Sequence, residues 1–384
     1  TAEAAFAETT FQNDRQKAEV SVVKQDKETT NPPPGGIFGL YADEDILNAD
    51  GAVVVKKDTL IEKVTTNGEG KAAFTSDLPI GFGYYVKEVQ APENYLRNLE
   101  DKYSFRFSYT NDEEAKVQFA HTFSNERVNA AIVLQKKDAE TNTNVPQGDA
   151  SLEQAVYGVY ARKDIVHPDG KTGVIYKAGE QVGTLTTDKE GKARIENLYL
   201  GEYFVKEITP PVGYLADENE YDLVCSYEGD LVATVERDCT SPEQVKKQPF
   251  QIIKAANNEN TDAALLEGAG FTAYLVSSLT VKEDGTYDFD SATPVVLGEN
   301  GATEIFTDKK GYAVSIPLPY GTYVVRETTT PHNYKPVDDF IVRITEHKPT
   351  EPQVWRVLLD DEFSAKLKIT KQDDETKKTV LAAG

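Results

Sequence analysis

The chain repeats itself three times, and this repetition constrains its fold more than any other feature of the 384 residues. One segment recurs as YYVKEVQAPENYL, YFVKEITPPVGYL and YVVRETTTPHNYKP, beginning at residues 84, 203 and 323. Its shared glutamates, which are 119 and 120 residues apart, are Glu88, Glu207 and Glu327. The repeat length predicts three domains of about 112–120 residues each.

Two further segments recur in the same order and set the domain boundaries. A strand ending in lysine opens each repeat (VSVVKQD, IVLQKKD, FQIIKAA), and a glycine turn follows (TTNGEGKAAF, TTDKEGKARI, FTDKKGYAVS). The predicted domains are residues 17–127, 128–245 and 246–363. Residues 1–16 are interpreted as the tail of a preceding repeat. Residues 364–384 restart the pattern at Lys371 as the first strand of an incomplete next repeat.

The repeats consist of short runs rich in Val, Ile, Tyr and Phe, separated by turns containing Gly, Pro, Asn and Asp. Apolar residues alternate within these runs, which is typical of strands, and no long amphipathic helical period occurs. Several short strands in each repeat predict an all-β fold of antiparallel β-sandwiches. A hydrophobic content of 39% is too high for a disordered chain.

The charge of the chain excludes two classes of partner. The 64 acidic and 41 basic side chains give a net charge of −23. A nucleic-acid-binding protein would carry a basic patch, so we expect no nucleic-acid partner. The negative charge of the chain would also be repelled by anionic lipid. No run of about 18 apolar residues occurs, so we expect no membrane insertion in this segment.

Alternation along the strands places charged residues on the apolar face, because residues i and i+2 of a strand share a face. Val20 and Val22 share a face with Lys24, and Tyr84 and Val86 share a face with Glu88. The same phase recurs in the other repeats, at Lys136 and Glu207 and at Lys254 and Glu327. A lysine and a glutamate of each repeat are therefore predicted to point toward the core.

A third residue on such a face makes a reaction available. Asn125 shares a face with Phe119, His121 and Phe123. Burial lowers the pKa of a lysine and raises the pKa of a glutamic acid. A neutral amine can then attack the carboxamide carbon while the acid transfers protons, leaving an isopeptide bond and free ammonia. An aspartate acceptor would release water.

A buried salt bridge, or side chains that reach water at strand ends, is the alternative to this reaction. The recurrence of the same pattern in three repeats favours the reaction.

These motifs together resemble the CnaB-type (SpaA-like, prealbumin-like) domains of Gram-positive surface proteins and pilins. The likeness rests on the opening lysine followed by Asp26 or Asp138, on GIFGLY, on TTDKEGK and on the three glutamate segments. It covers about residues 17–363. The resemblance implies three tandem immunoglobulin-like or prealbumin-like antiparallel β-sandwich domains in an elongated array.

The resemblance also implies autocatalytic Lys–Asn or Lys–Asp isopeptide bonds, with Glu88, Glu207 and Glu327 as the catalytic residues. Carried over to this sequence, the first bond joins Lys24 to Asn125, and the second joins Lys136 to Asp238. The third joins Lys254 to either Asp360 or Asp361. The alternation of Trp355, Val357 and Leu359 favours Asp361, whereas the spacing to the next lysine favours Asp360.

A structural role outside the cell follows from this resemblance. The chain is expected to be a stalk or adhesin segment of a cell-wall-attached, extracellular protein, performing only a single-turnover reaction on itself. The alternatives are an adhesin array that binds a host protein or a glycan, and accessory modules of a larger glycan-active enzyme. Neighbouring repeats are the other expected partners. The four scattered histidines predict no metal site and no cofactor is expected, and a disulfide between Cys225 and Cys239 is left open.

Overall fold

The computed structural model of the protein describes residues 15–257, 264–363, 368 and 370–378. Within these ranges the regular structure is strand, except for two single-turn 3-10 helices at Val276–Ser278 and Glu299–Gly301. None of the helices in the described ranges could span a membrane. Most of the predicted tail at 1–16 lies outside these ranges. The predicted strand at 364–384 is described only in part, and there Lys371 is exposed.

The described strands follow the three repeats. Strands β1 to β9 of domain 1 are Lys17–Asp26, Ile37–Ala42, Ile46–Leu47, Val53–Val55, Leu60–Thr65, Lys71–Ala73, Phe82–Gln90, Lys102–Phe107 and Lys116–Asn125. Strands β10 to β18 of domain 2 are Asn129–Asp138, Val156–Ala161, Ile165–Val166, Val174–Tyr176, Gln181–Thr186, Lys192–Leu198, Gly201–Thr209, Glu220–Cys225 and Thr234–Glu243. Strands β19 to β29, the last group, are Lys247–Gln248, Gln251–Ala256, Gly270–Leu275, Thr280–Val281, Tyr287–Asp288, Glu304–Phe306, Tyr312–Val314, Leu318–Pro319, Gly321–Thr329, Phe340–Ile344 and Arg356–Asp360.

Each domain contains a three-stranded and a four-stranded sheet. In domain 1 the strand orders are β6-β1-β9 and β5-β2-β7-β8, and in domain 2 they are β15-β10-β18 and β14-β11-β16-β17. In domain 3 they are β25-β20-β29 and β24-β21-β27-β28. Side chains from both sheets of domain 1 meet in one core, which contains Val22 of β1, Phe38 of β2 and Val86 of β7. The all-β sandwich predicted from the alternation is confirmed.

The first and last strands of a domain depart from the predicted antiparallel pairing. Strand β1 pairs in parallel with β9, and β20 pairs in parallel with β29. The four-stranded sheets of the same two domains are antiparallel throughout. Parallel end strands bring the chain in at one end of the domain and out at the other.

The backbone packs as two compact units whose boundary lies inside domain 2. One unit contains the chain up to Gln135 together with Ala155–Thr209 and Asp217–Ser241. The other contains Lys136–Gln154, Pro210–Ala216 and the chain from Pro242 onward.

The recurring glycine turn fixes the backbone next to the opening lysine. Gly70 has a φ of +69°, which a side chain disfavours. A Cβ on Gly70 would also overlap the carbonyl oxygen of Lys24. The Lys24 N–H donates to the Gly70 carbonyl at 2.7 Å, and the Lys254 N–H donates to Gly311 at the same distance. Glycine is therefore required here because the turn lies directly against the lysine backbone.

Candidate functional site

Domain 1 brings its predicted lysine, glutamate and asparagine together inside the sandwich. The side chains of Lys24 and Glu88 are 0% and 1% exposed, and Lys24 Nζ lies 3.3 Å from Glu88 Oε1. The Asn125 Nδ2 group donates to Glu88 Oε2 at 2.8 Å. Lys24 Nζ also donates to the Phe123 carbonyl at 3.4 Å. Glu88 therefore contacts both the amine and the carboxamide.

Strand register explains why these three side chains meet. In the parallel pair β1–β9, Asp26 lies opposite Asn125 and Lys24 lies opposite Phe123. Residues two apart share a face, so Lys24 and Asn125 point into the sandwich side by side. In the other sheet, Glu88 lies opposite Phe38, a core residue of β2.

Burial shifts both ionisable groups of domain 1 toward their neutral forms. Desolvation lowers the pKa of Lys24 to about 8, although the Glu88 carboxylate opposes the shift. Desolvation also raises the pKa of Glu88, against the effects of Lys24 and Asn125. Burial thus favours the neutral amine of Lys24 and the protonated carboxyl of Glu88, which lie side by side. These are the properties that amine attack on a carboxamide needs.

Domain 3 has the same arrangement with an aspartate in place of the asparagine. Lys254 Nζ lies 2.7 Å from Glu327 Oε2 and also forms an ion pair with Asp360, and all three side chains are fully buried. Burial raises the pKa of Asp360, and Lys254 opposes this shift. Asp361 is exposed and accepts a hydrogen bond from Asn257 Nδ2 at 2.8 Å. The structure brings Asp360 to the lysine and places Asp361 on the opposite face.

Domain 2 differs from the sequence expectation at the acceptor position. Lys136 is completely buried, and it forms an ion pair with Glu243, which is buried as well. Asp238, the predicted partner, is exposed on the outer face of β18. The structure therefore does not bring Asp238 to Lys136, because β18 presents its odd-numbered residues to the core.

The glutamate strands of domains 2 and 3 hold their carboxylates in a common way. Glu207 Oε2 accepts the backbone N–H of Asp217 at 2.8 Å, and Glu327 Oε2 accepts that of Val337 at 3.0 Å. In both cases the donor lies ten residues after the glutamate. The loop following the glutamate strand thus orients the carboxylate, which fixes one of its oxygens.

With this geometry established, the chain can be compared with known families. The SpaA prealbumin-like fold domain matches three segments, residues 18–122, 130–238 and 249–356. This protein belongs to the SpaA family of prealbumin-like domains. The matched segments fall one in each β-sandwich, so all three sandwiches are SpaA-type domains. No curated protein matches the chain.

Solved structures agree with this fold. The TIE protein of Bacillus anthracis is 20% identical over 90% of this chain, with a TM-score of 0.53, and the chain spans 51% of its length. At this identity the likeness extends to the fold alone. Two pilins superpose more loosely. The major pilin subunit of Bacillus cereus is 14% identical over 90% of this chain and 100% of its own, with a TM-score of 0.32. A streptococcal ancillary pilin is 18% identical over 91% and 100%, with a TM-score of 0.27.

A buried aspartate–tyrosine contact in two of the SpaA-type domains was not singled out from the sequence. The Tyr95 hydroxyl donates to Asp26 Oδ2 at 2.7 Å, and the Tyr214 hydroxyl donates to Asp138 Oδ2 at 2.9 Å. Each contact links the end of the opening strand to the loop after the glutamate strand. In domain 3 the aspartate is replaced by Ala256. The aspartate two residues after the lysine was the available signal.

The two cysteines of domain 2 are not paired with each other in this structure. Cys225 and Cys239 are free, buried thiols, and burial raises the pKa of Cys239 to about 12. Among the described residues, no group of three or more His, Cys, Asp or Glu side chains could hold a metal ion.

Proposed function

We propose that this chain is a load-bearing segment of a Gram-positive cell-surface protein, whose domains are closed by autocatalytic isopeptide bonds. Domain 1 joins Lys24 to Asn125, and domain 3 joins Lys254 to Asp360. The segment acts as a stalk that holds an adhesive or pilus-forming part away from the cell wall. It carries out no turnover on other molecules.

The observation that carries the proposal is the completely buried Lys–Glu pair beside an asparagine or aspartate side chain. Burying an ion pair costs several kcal/mol per ion unless the geometry repays it. Domains 1 and 3 both bury such a pair, and in both the lysine and the acceptor occupy the same register positions on the first and last strands. Membership of the SpaA family supports a surface location, and the pilins among the similar folds agree with it.

The proposed chemistry balances in both domains. In domain 1 the neutral Lys24 amine attacks Asn125 Cγ, the new N–C bond forms, the C–N bond of the carboxamide breaks, and ammonia leaves. Glu88 protonates the leaving group and receives the proton that the amine gives up. In domain 3 the amine attacks the protonated Asp360 carboxyl and water leaves, with Glu327 transferring the protons. Exclusion of water from the site strengthens each of these contacts.

Peptide mapping by mass spectrometry tests the proposal. In the wild-type chain, a peptide containing Lys24 should be recovered joined to a peptide containing Asn125, with the mass of one ammonia missing. In the Glu88→Ala variant both peptides should be recovered separately and at full mass. The pair in domain 3 should stay joined in this variant, which makes it an internal control for folding. Separate peptides in the wild-type protein would refute the proposed bond.

A further inference from the structure

We infer that domain 2 is closed by an isopeptide bond between Lys136 and Glu243, with a glutamate as the acceptor. This inference rests on the proposed function, and it extends that function from asparagine and aspartate acceptors to a side chain that is one methylene longer. Lys136 and Glu243 form an ion pair, and their side chains are 0% and 1% exposed.

Backbone hydrogen bonds place Glu243 at the position of the other two acceptors. In domain 1 the N–H three residues after the lysine, that of Lys27, donates to the Asn125 carbonyl at 2.9 Å. In domain 3 the Asn257 N–H donates to the Asp360 carbonyl at 2.8 Å. In domain 2 the corresponding N–H belongs to Ala139, and it donates to the Glu243 carbonyl at 2.8 Å.

A second, independent contact gives the same alignment. Tyr95 forms an isolated β-bridge with Arg127, two residues after Asn125, and Tyr334 forms one with Glu362, two residues after Asp360. In domain 2 the bridge joins Tyr214 to Val245, which lies two residues after Glu243. Both contacts thus assign the acceptor position to Glu243, and Asp238 lies five residues away from it.

The neighbours of the acceptor position also differ in domain 2. The residue two places before the acceptor is Phe123 in domain 1 and Leu358 in domain 3, but Ser241 in domain 2. A serine frees volume on the acceptor face, where glutamate needs space for its additional methylene. The Tyr157 hydroxyl donates to Ser241 Oγ at 2.9 Å, and Ser241 Oγ donates to Asp217 Oδ2 at 3.1 Å. The polar atoms introduced in this domain are therefore hydrogen-bonded.

The step that forms this bond releases water. The neutral Lys136 amine attacks Cδ of the protonated Glu243 carboxyl and a new N–C bond forms. The C–OH bond breaks, and the hydroxyl leaves as water with the proton that the amine nitrogen gives up. Glu207 stands opposite Tyr157 in the strand pairing, as Glu88 stands opposite Phe38 and Glu327 opposite Phe271. It is the residue of domain 2 whose register corresponds to the acid of the other two domains.

Peptide mapping of the full chain tests this inference. We expect the peptide with Lys136 to be joined to the peptide with Glu243, with one water missing. Glu243→Gln should change the missing mass from water to ammonia, because the leaving group becomes an amine. Asp238→Ala is the matched control and should leave the joined peptide unchanged.

Three outcomes would overturn the inference. The first is recovery of Lys136 and Glu243 in separate peptides of full mass while domains 1 and 3 are joined, which would leave the proposed function intact. The second is a Lys136 peptide joined to Asp238. The third is continued loss of water in domain 2 of Glu243→Gln, since the acceptor would then be another residue. Separate peptides in all three domains would refute the proposed function as well.

Discussion

At the residue scale, the account depends on three completely buried lysines. Lys24, Lys136 and Lys254 are each 0% exposed, and each lies against at least one buried carboxylate. Removal of one partner from a buried pair leaves an uncompensated charge, which costs about 3–5 kcal/mol. A covalent bond removes this cost altogether, because the product amide carries no charge.

The rate of bond formation in domain 1 should depend on pH through Lys24. Only the neutral amine is a nucleophile, and burial lowers the Lys24 pKa to about 8. Below this pH the neutral fraction changes about tenfold for each pH unit. The rate should therefore rise with pH up to about 8 and then level off. The experiment is refolding of the unjoined chain at a series of pH values, with quenched mass analysis. A rate that does not change across this range would contradict the role given to Lys24.

The acceptor in domain 3 can be identified by a pair of single substitutions. Asp360→Ala removes the buried carboxyl beside Lys254, so the joined peptide should disappear and the mass of one water should return. Asp361→Ala changes an exposed neighbour and should leave the bond in place. Peptide mapping of the two variants distinguishes them. The opposite pattern would show that the strand slips by one residue when the bond forms.

At the scale of strands, alternation predicted which way the opening lysines point. The inward orientation of the opening lysines follows from alternation with Val20, Val22 and their counterparts, and the burial of these lysines confirms it. Repeat spacing also indicated three domains. Both signals can be read from the sequence without knowledge of the tertiary structure.

The last strands of domains 2 and 3 differ from the sequence interpretation, each for its own reason. In β29 the apolar residues Val357 and Leu359 are 62% and 49% exposed, while Arg356 and Asp360 face inward. Apolar residues therefore lie on both faces of β29, since Leu358 packs against the core, and hydrophobicity alone indicated the wrong phase. In β18 the buried residues Val235, Cys239, Ser241 and Glu243 do share one face. Asp238, the acceptor expected from the resemblance, lies on the opposite, exposed face of this strand.

The contact between the glycine turn and the opening strand predicts that a substitution of Gly70 destabilises domain 1. Gly70→Ala should destabilise domain 1 by roughly 2 kcal/mol or more, because φ is positive and the new Cβ would overlap the Lys24 carbonyl. Gly68→Ala is the control, since a Cβ there has no neighbour within 4 Å. Thermal unfolding of both variants measures the difference. Equal destabilisation would mean that the close approach to Lys24 has no energetic importance.

At the scale of the whole molecule, the proposed bonds link the two ends of each domain. Lys24 and Asn125 are 101 residues apart and lie on the first and last strands. A cross-link that closes a loop of this length lowers the entropy of the unfolded chain, and it stabilises the fold by about 4–5 kcal/mol if a disulfide is a fair guide. Tension applied to the chain would pass through the bond rather than through the sheets.

Removal of one bond should therefore weaken one domain. Asn125→Ala eliminates the acceptor and keeps the contact between Lys24 and Glu88, so the free energy of unfolding of domain 1 should fall by about 4–5 kcal/mol. Ser124→Ala, which loses a hydrogen bond from Gln25 on the outer face, should cost about 1 kcal/mol or less. Calorimetry and denaturant unfolding measure both. Equal stabilities for Asn125→Ala and the wild type would contradict the stabilisation attributed to the bond.

The most direct test of the whole account is the accurate intact mass of the purified chain under denaturing, reducing conditions. We predict a mass below that of the plain sequence by one ammonia for Lys24 and Asn125, one water for Lys254 and Asp360, and a second water for Lys136 and Glu243. A mass equal to that of the plain sequence would contradict the account, because it would leave the three lysines as ordinary buried ion pairs.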